Sequence, residues 1–184
     1  MVREISAGGV VVRHKDDEWW MAAIELPVAA PNAPEGDGVK TEVSKTGTPR
    51  RTVRSTAKAA LCLPKGLVDP GEKALEAALR EVREETGISA TLVTKLADIK
   101  YAYVRSWGDG ERVFKIVSFY LFRYESGRID NIAEEMRVEV ARARWVRLEE
   151  APKLLAYRGE KQMARKALEY IEAMRNCHRD WGAR

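Results

Sequence analysis

The chain has 184 residues, 45% of them hydrophobic, and a formal net charge of +4, enough apolar material for one cored domain over residues 1–184 and no second one. No apolar run approaches the roughly 20 residues that cross a bilayer, so no membrane partner is expected. The two cysteines, Cys62 and Cys177, are too few for a disulfide framework and lack metal-like spacing.

The opening MVREISAGGVVVR has no basic region followed by an apolar stretch and a cleavage site, which points to a cytoplasmic protein. Residues 4–13 (EISAGGVVVR) and 19–26 (WWMAAIEL) predict two strands around the polar turn HKDDE. Residues 29–58 are rich in Pro, Gly, Thr and charge without apolar period, and read as a long insertion. Within it Lys40, Lys45, Arg50, Arg51, Arg54 and Lys58 face a single acid, Glu42. A solvated basic loop is the plainer reading, and a segment that attracts an anionic ligand is the alternative.

ALCLP (60–64) returns to strand character, with Cys62 buried and Cys177 a free thiol. Leu63-Pro64-Lys65-Gly66 and Asp69-Pro70-Gly71-Glu72 then make a loop punctuated by Pro and Gly. A helix follows, with Leu75, Ala78, Leu79 and Val82 as its core stripe and Gly87 as its stop. TLVTKLADIKYAYVRSW and RVFKIVSFYLFRY predict two long strands around Gly108-Asp109-Gly110. Farther on, RVEVARARWVRL alternates as a strand and LEEAPKLLAY suggests a short helix. Residues 160–176 place Met163, Ala167, Ile171 and Met174 on one helical face. The order is that of a mostly β domain with one internal helix and a helical tail.

On the internal helix Glu81, Glu84 and Glu85 fall at i, i+3 and i+4, on one arc bordering the apolar stripe. Three like charges on neighbouring positions repel, so the arc calls for a compensating cation. Mg²⁺, which takes carboxylates, waters and substrate phosphates as ligands, is the natural candidate and implies phosphate chemistry. Arg80, four residues from both Glu76 and Glu84, can pair with either carboxylate and orient it. The Pro/Gly loop can bring backbone carbonyls and Lys65 close to a metal-bound phosphate.

Gly66, five residues, Glu72, seven residues, then Arg80-Glu81-Val82-Arg83-Glu84-Glu85-Thr86-Gly87-Ile88 resembles in full the signature of the Nudix (MutT-like) hydrolases, GX5EX7REUXEEXGU with U aliphatic. The resemblance implies the α+β Nudix fold, a mixed β-sheet sandwiched between helices (α/β/α), here with a long insertion before the catalytic loop and helix. It implies a metal-dependent hydrolase that cleaves a diphosphate linked to another moiety, usually a nucleoside, with Mg²⁺, or Mn²⁺ in its place, as cofactor. Carried over, Glu81, Glu84 and Glu85 are metal ligands, the Lys65 carbonyl is a further ligand, and Arg80 and Glu72 support them. Glu139 resembles a distal metal-binding glutamate and is the first choice of general base, with Glu134 and Glu135 as rivals.

LPKG, IKYAYV, RVFKIVSFYLF, EVARARWV and LLAY are similar to the branch acting on diadenosine polyphosphates. In that branch an aromatic residue beyond the motif contacts adenine or phosphate. Tyr103 is the nearer match and Tyr101 the next, each with the alternative of packing on a sheet face. Lys115 either contacts polyphosphate as a point charge or faces outward from its strand. The expected partner is therefore a nucleotide or a dinucleoside polyphosphate such as Ap4A. Oxidised nucleoside triphosphates, diphosphoinositol polyphosphates and the 5′ end of RNA are the alternatives, and a non-catalytic nucleotide-binding regulator is the reading from a different class.

Overall fold

The structure, a computed structural model, describes residues 2–27, 59–104 and 110–176. The expected basic insertion at 29–58, Gly108, Asp109 and Cys177 lie outside the described residues. Strands β1 (Val2–Lys15), β2 (Glu18–Glu25), β3 (Leu61–Cys62) and β4 (Lys65–Leu67) precede helix α1 (Ala74–Thr86). Strands β5 (Ile88–Val104) and β6 (Arg112–Gly127), a 3-10 helix over Glu134–Val138, strand β7 (Arg142–Arg147) and helices α2 (Ala151–Leu154) and α3 (Arg158–Asn176) follow.

The strands form one mixed sheet in the order β3-β2-β1-β6-β5, with β4 beside β1 and β7 beside β2. Only the central β1–β6 pairing is parallel among the pairings found, and the apolar run in β1 is what a strand covered on both faces requires. Val10 and Val12 pack with Phe119, Leu121, Met163, Ala167 and Ile171 on the α3 side. Ala7, Val11 and Phe122 pack with Ala77, Ala78 and Val82 on the α1 side. Helices therefore cover both faces, the α/β/α arrangement expected of an α+β Nudix fold.

Three expectations are corrected. RVEVARARWVRL is not one strand: its first residues belong to the 3-10 helix and only Arg142–Arg147 pairs, with β2. Val138 is 79% exposed whereas Val140 is fully buried against Ile24, Cys62 and Ala143, so the apolar positions there do not share one sheet face. The loop expected around Lys65-Gly66 contains a short strand, because β1 offers an edge that Lys65–Leu67 joins. The core stripe of α1 is rotated: Ala77, Ala78, Glu81, Val82, Glu85 and Thr86 are buried, whereas Leu75 and Leu79 are only partly so. Paired alanines let the helix approach the sheet closely, and that approach carries Glu81 and Glu85 inward.

Candidate active site

Helix α1 ends where the sequence requires. Gly87 adopts a left-handed φ of 77°, and its N–H donates to the Arg83 carbonyl at 2.9 Å, a glycine cap that closes the helix one residue beyond the last carboxylate. Upstream, β4 alternates across the sheet. Gly66 faces Glu81, so closely that a Cβ there would run into the carboxylate, and the Lys65 side chain faces the opposite way, toward Glu160 of α3. Gly9 donates to the Pro64 carbonyl and Val68 to the Ile5 carbonyl. The alternation of an antiparallel ladder then turns the N–H and C=O of Lys65 away from β1, and the N–H meets Glu85 Oε2 at 2.7 Å.

Arg80 is the organiser of the carboxylates. Its Nε and Nη2 clasp Glu72 in a two-point pair, each at 3.0 Å. Nη1 donates to Glu81 at 2.7 Å and to Glu84 at 3.1 Å, and Nη2 also reaches the Leu67 carbonyl at 2.9 Å. The five N–H donors of a guanidinium are thereby all engaged, and the Glu72 hydrogen bonds in particular hold its pKa above the usual arginine value. The same hydrogen bonds, with that from the Asp69 N–H, lower the pKa of Glu72.

Glu81 and Glu85 are 8% and 5% exposed. Burial raises the Glu81 pKa, Arg80 opposes the rise, and Glu84 and Glu139 add to it. For Glu85 burial again leads, pushing it up to about 8 against the pull of Lys65, with Glu81 and Glu139 contributing. Glu139, exposed at the end of the 3-10 helix, thus stands within electrostatic reach of both. Neither Glu134 nor Glu135 is among the leading contributors to those shifts.

The donor set suits a hard divalent cation. It is all oxygen, and it gathers more carboxylates than the single Arg80 guanidinium can neutralise. Among the described residues no three acidic, histidine or cysteine side chains already converge as a cation-holding group. Glu81 and Glu84 are turned onto Arg80, so joint coordination competes with those two ion pairs. Beside them an open cleft of about 410 Å³ is lined by Arg80, Arg83, Glu84, Asn131, Ile132, Ala133 and Met136.

The other expected residues gather on the α3 face. Tyr101 and Tyr103 lie side by side on β5, ring centres 6.2 Å apart and tilted by 35°. Tyr103 donates to Glu4 Oε2 at 3.0 Å, and Lys115 pairs with the same oxygen at 3.6 Å. Burial lowers the Lys115 pKa, with Glu4 opposing and Lys65 adding to the fall, and burial raises that of Tyr101. Lys65 Nζ sits 3.0 Å from Glu160 Oε1 and 5.9 Å from the Tyr157 ring centre. Burial alone would lower its pKa, but Glu160 foremost, with Cys62 and Glu85, more than offsets that and the net shift is upward. β4 therefore separates the two groups: carboxylates meet it from the α1 side, and the tyrosines, Lys65 and Lys115 lie on the α3 side.

Sequence reasoning missed Glu160 and Glu4. Glu160 stands three residues before Met163 on the core stripe of α3, and an acid at an apolar position was the available signal. Cys62 is buried as expected, and burial foremost pushes its thiol up to about 12, which makes it unreactive.

A family model for the NUDIX domain matches residues 48–167. A Mycobacterium tuberculosis protein named for a mutator role, MutT4, is 40% identical over 114 residues, 62% of this chain and 43% of that protein, so the chain spans less than half the length of that relative. The asymmetrical bis(5′-nucleosyl)-tetraphosphatase of Mus musculus is 34% identical over 110 residues, 59% of this chain and 69% of that protein. The C. elegans Ap4A hydrolase in its binary complex shares the fold, with a TM-score of 0.59 at 18% identity over 92% of this chain and 98% of that one. With its loop, helix and carboxylates inside the matched segment, the chain belongs to the NUDIX domain family.

Proposed function

We propose that this chain is a cytoplasmic, metal-dependent pyrophosphohydrolase that cleaves dinucleoside polyphosphates such as diadenosine tetraphosphate. The observation that carries the hydrolase reading is the set Glu72, Glu81, Glu84 and Glu85 gathered around one fully engaged arginine, with two of the carboxylates buried. The dinucleotide reading is supported by the adjacent Tyr101 and Tyr103 rings, which offer flat faces for a base, and by the activity named for the mouse relative.

Glu81, Glu84, Glu85 and the Lys65 carbonyl would hold Mg²⁺, or Mn²⁺ in its place. The ion supplies charge neutralisation for phosphate oxygens and acidity for a water. Arg80 fixes the rotamers of Glu81 and Glu84, and the Lys65 N–H fixes Glu85. Glu139 accepts a proton from the attacking water as its oxygen bonds to phosphorus and the bridging P–O bond breaks. Two phosphorylated products leave. Lys65 and Lys115 contribute positive charge on the substrate side, partly offset by Glu160 and Glu4.

A Mg²⁺-dependent panel of diadenosine tetraphosphate, 8-oxo-dGTP, a diphosphoinositol polyphosphate and 5′-triphosphate RNA, with products separated by chromatography, tests this reading. Preferential conversion of diadenosine tetraphosphate to ATP and AMP is expected. Preference for another compound would overturn the substrate assignment and keep the hydrolase. Binding without turnover with any divalent metal would overturn the enzyme and favour a nucleotide-binding regulator.

A further inference from the structure

Glu160 is 3% exposed, on a helix face otherwise used by Met163, Ala164, Ala167 and Ile171. Burying a carboxylate there is costly unless it is paired. An apolar pair of similar volume in place of such an ion pair is often no less stable, so packing alone does not account for the acid. Its partners are specific. Oε2 accepts the Leu63 N–H at 2.9 Å, and Oε1 stands 3.0 Å from Lys65 Nζ.

Those contacts fall on the two-residue link between β3 and β4, Leu63-Pro64, and on Lys65, the first residue of β4. Two further polar groups there are held as well: the Pro64 carbonyl accepts from Gly9 at 3.1 Å, and the Lys65 N–H donates to Glu85 at 2.7 Å. One carboxylate thus grips Leu63 and Lys65, residues that flank a proline with no N–H of its own, and the Lys65 N–H orients Glu85.

We propose that Glu160 is a positioning residue for the metal centre: from the first turn of α3 it fixes the Leu63–Lys65 backbone and, through the Lys65 N–H, the placement of Glu85. The inference rests on the metal-dependent reading above. Neutralising Glu160 removes the counter-charge of the partly buried Lys65 ammonium and weakens the hold on Leu63 and Lys65, which loosens the backbone that orients Glu85.

The test is Mn²⁺ binding followed by electron paramagnetic resonance, together with kcat, KM and thermal melting, on the full chain and on E160Q, K65M and E85Q. Glu160→Gln keeps an oxygen for the Leu63 N–H and loses the charge. Lys65→Met keeps the backbone carbonyl and loses the ammonium. Both are expected to fold, to weaken Mn²⁺ about tenfold, as outer-sphere changes at metal sites typically do, and to lower kcat, with little change in KM for E160Q and a raised KM for K65M, which also removes positive charge from the substrate side. E85Q is expected to bind Mn²⁺ worst. A folded E160Q with Mn²⁺ affinity and kcat within twofold of the parent, whatever its melting temperature, overturns the proposal. Should E160Q not fold, K65M decides by the same criterion. Failure of the parent chain to bind Mn²⁺ at all removes the metal reading and the inference with it, whereas unchanged binding in both variants removes the inference alone.

Discussion

Replacing Glu85 by Gln should stabilise the metal-free protein at alkaline pH while abolishing hydrolysis. The carboxyl is 5% exposed, and its pKa is pushed from the ordinary 4.5 to about 8, chiefly by burial. It therefore binds its proton more tightly folded than unfolded. Stability from that proton is full below pH 4.5, and it is lost as pH rises through about 8. A tenfold change in proton affinity is worth about 1.4 kcal/mol, so ionising Glu85 in the folded chain costs on the order of 4 kcal/mol by pH 9. At about 2–4 °C per kcal/mol for a chain of this size, this is a melting difference of about 10 °C.

Glutamine retains an acceptor for the Lys65 N–H and carries no charge to desolvate. The assay is thermal unfolding in EDTA from pH 5 to 9. The E85Q protein should melt near the parent at pH 5 and about 10 °C above it at pH 9. Saturating Mg²⁺ should close the gap by stabilising the parent selectively. A gap that stays constant with pH, or a parent that gains on E85Q as pH rises, refutes the account of an uncompensated buried carboxylate.

At Gly66, Ala would place a methyl against the Glu81 carboxyl; turnover with Mg²⁺ should fall at least about a hundredfold, in a protein whose circular dichroism is unchanged. Arg137→Ala removes hydrogen bonds to Asp130 Oδ1 and the Asp130 carbonyl, both 2.8 Å, and to the Ala141 carbonyl. Denaturant titration should show a loss of about 1–3 kcal/mol, and kcat should fall further than that loss explains, because Glu139 sits on the loosened loop. Tyr101→Ala should raise KM for diadenosine tetraphosphate about tenfold through a lost stacking face, while Tyr103→Phe, which loses only the hydroxyl bonded to Glu4, should leave KM within about threefold. Equal effects of the two substitutions would move base recognition off this tyrosine pair.

The loop and helix were legible because their chemistry is local. Glu81, Glu84 and Glu85 share an arc by helix geometry, and Gly87 marks the stop in any context. Long strands such as β6 were legible because their alternation serves two real faces. The same period misled at residues 137–141, where Arg137 and Val138 alternate without a neighbour to pair with and Arg137 instead bonds back to Asp130. The rotation of α1 was hidden because a wheel weighs leucine above alanine, whereas close packing on the sheet favoured Ala77 and Ala78. Glu160 left a local signal, an acid at an apolar position of α3, but not its role: its partner Leu63 is 97 residues away, and only the fold brings them together.

The charge arrangement explains why such a site needs a diffusible cation rather than a further lysine. Arg80 spends every donor inside the loop and helix, so it orients carboxylates and has no N–H left for a phosphate. The Lys65 ammonium pairs with Glu160 on the far side of β4, and its field lowers the Glu85 pKa from there. Arg83 joins Arg80 and Glu84 in lining the cleft, and beside it the carboxylates of Glu81 and Glu85 form a buried acidic edge with Glu139 in electrostatic reach. A polyphosphate brought to that edge would be repelled by the groups that must act on it. A permanent lysine there would cancel the repulsion by occupying the carboxylate oxygens. A small divalent ion cancels it and still has coordination positions left for phosphate and water, which is the part the proposed function gives to an ion held by Glu81, Glu84 and Glu85.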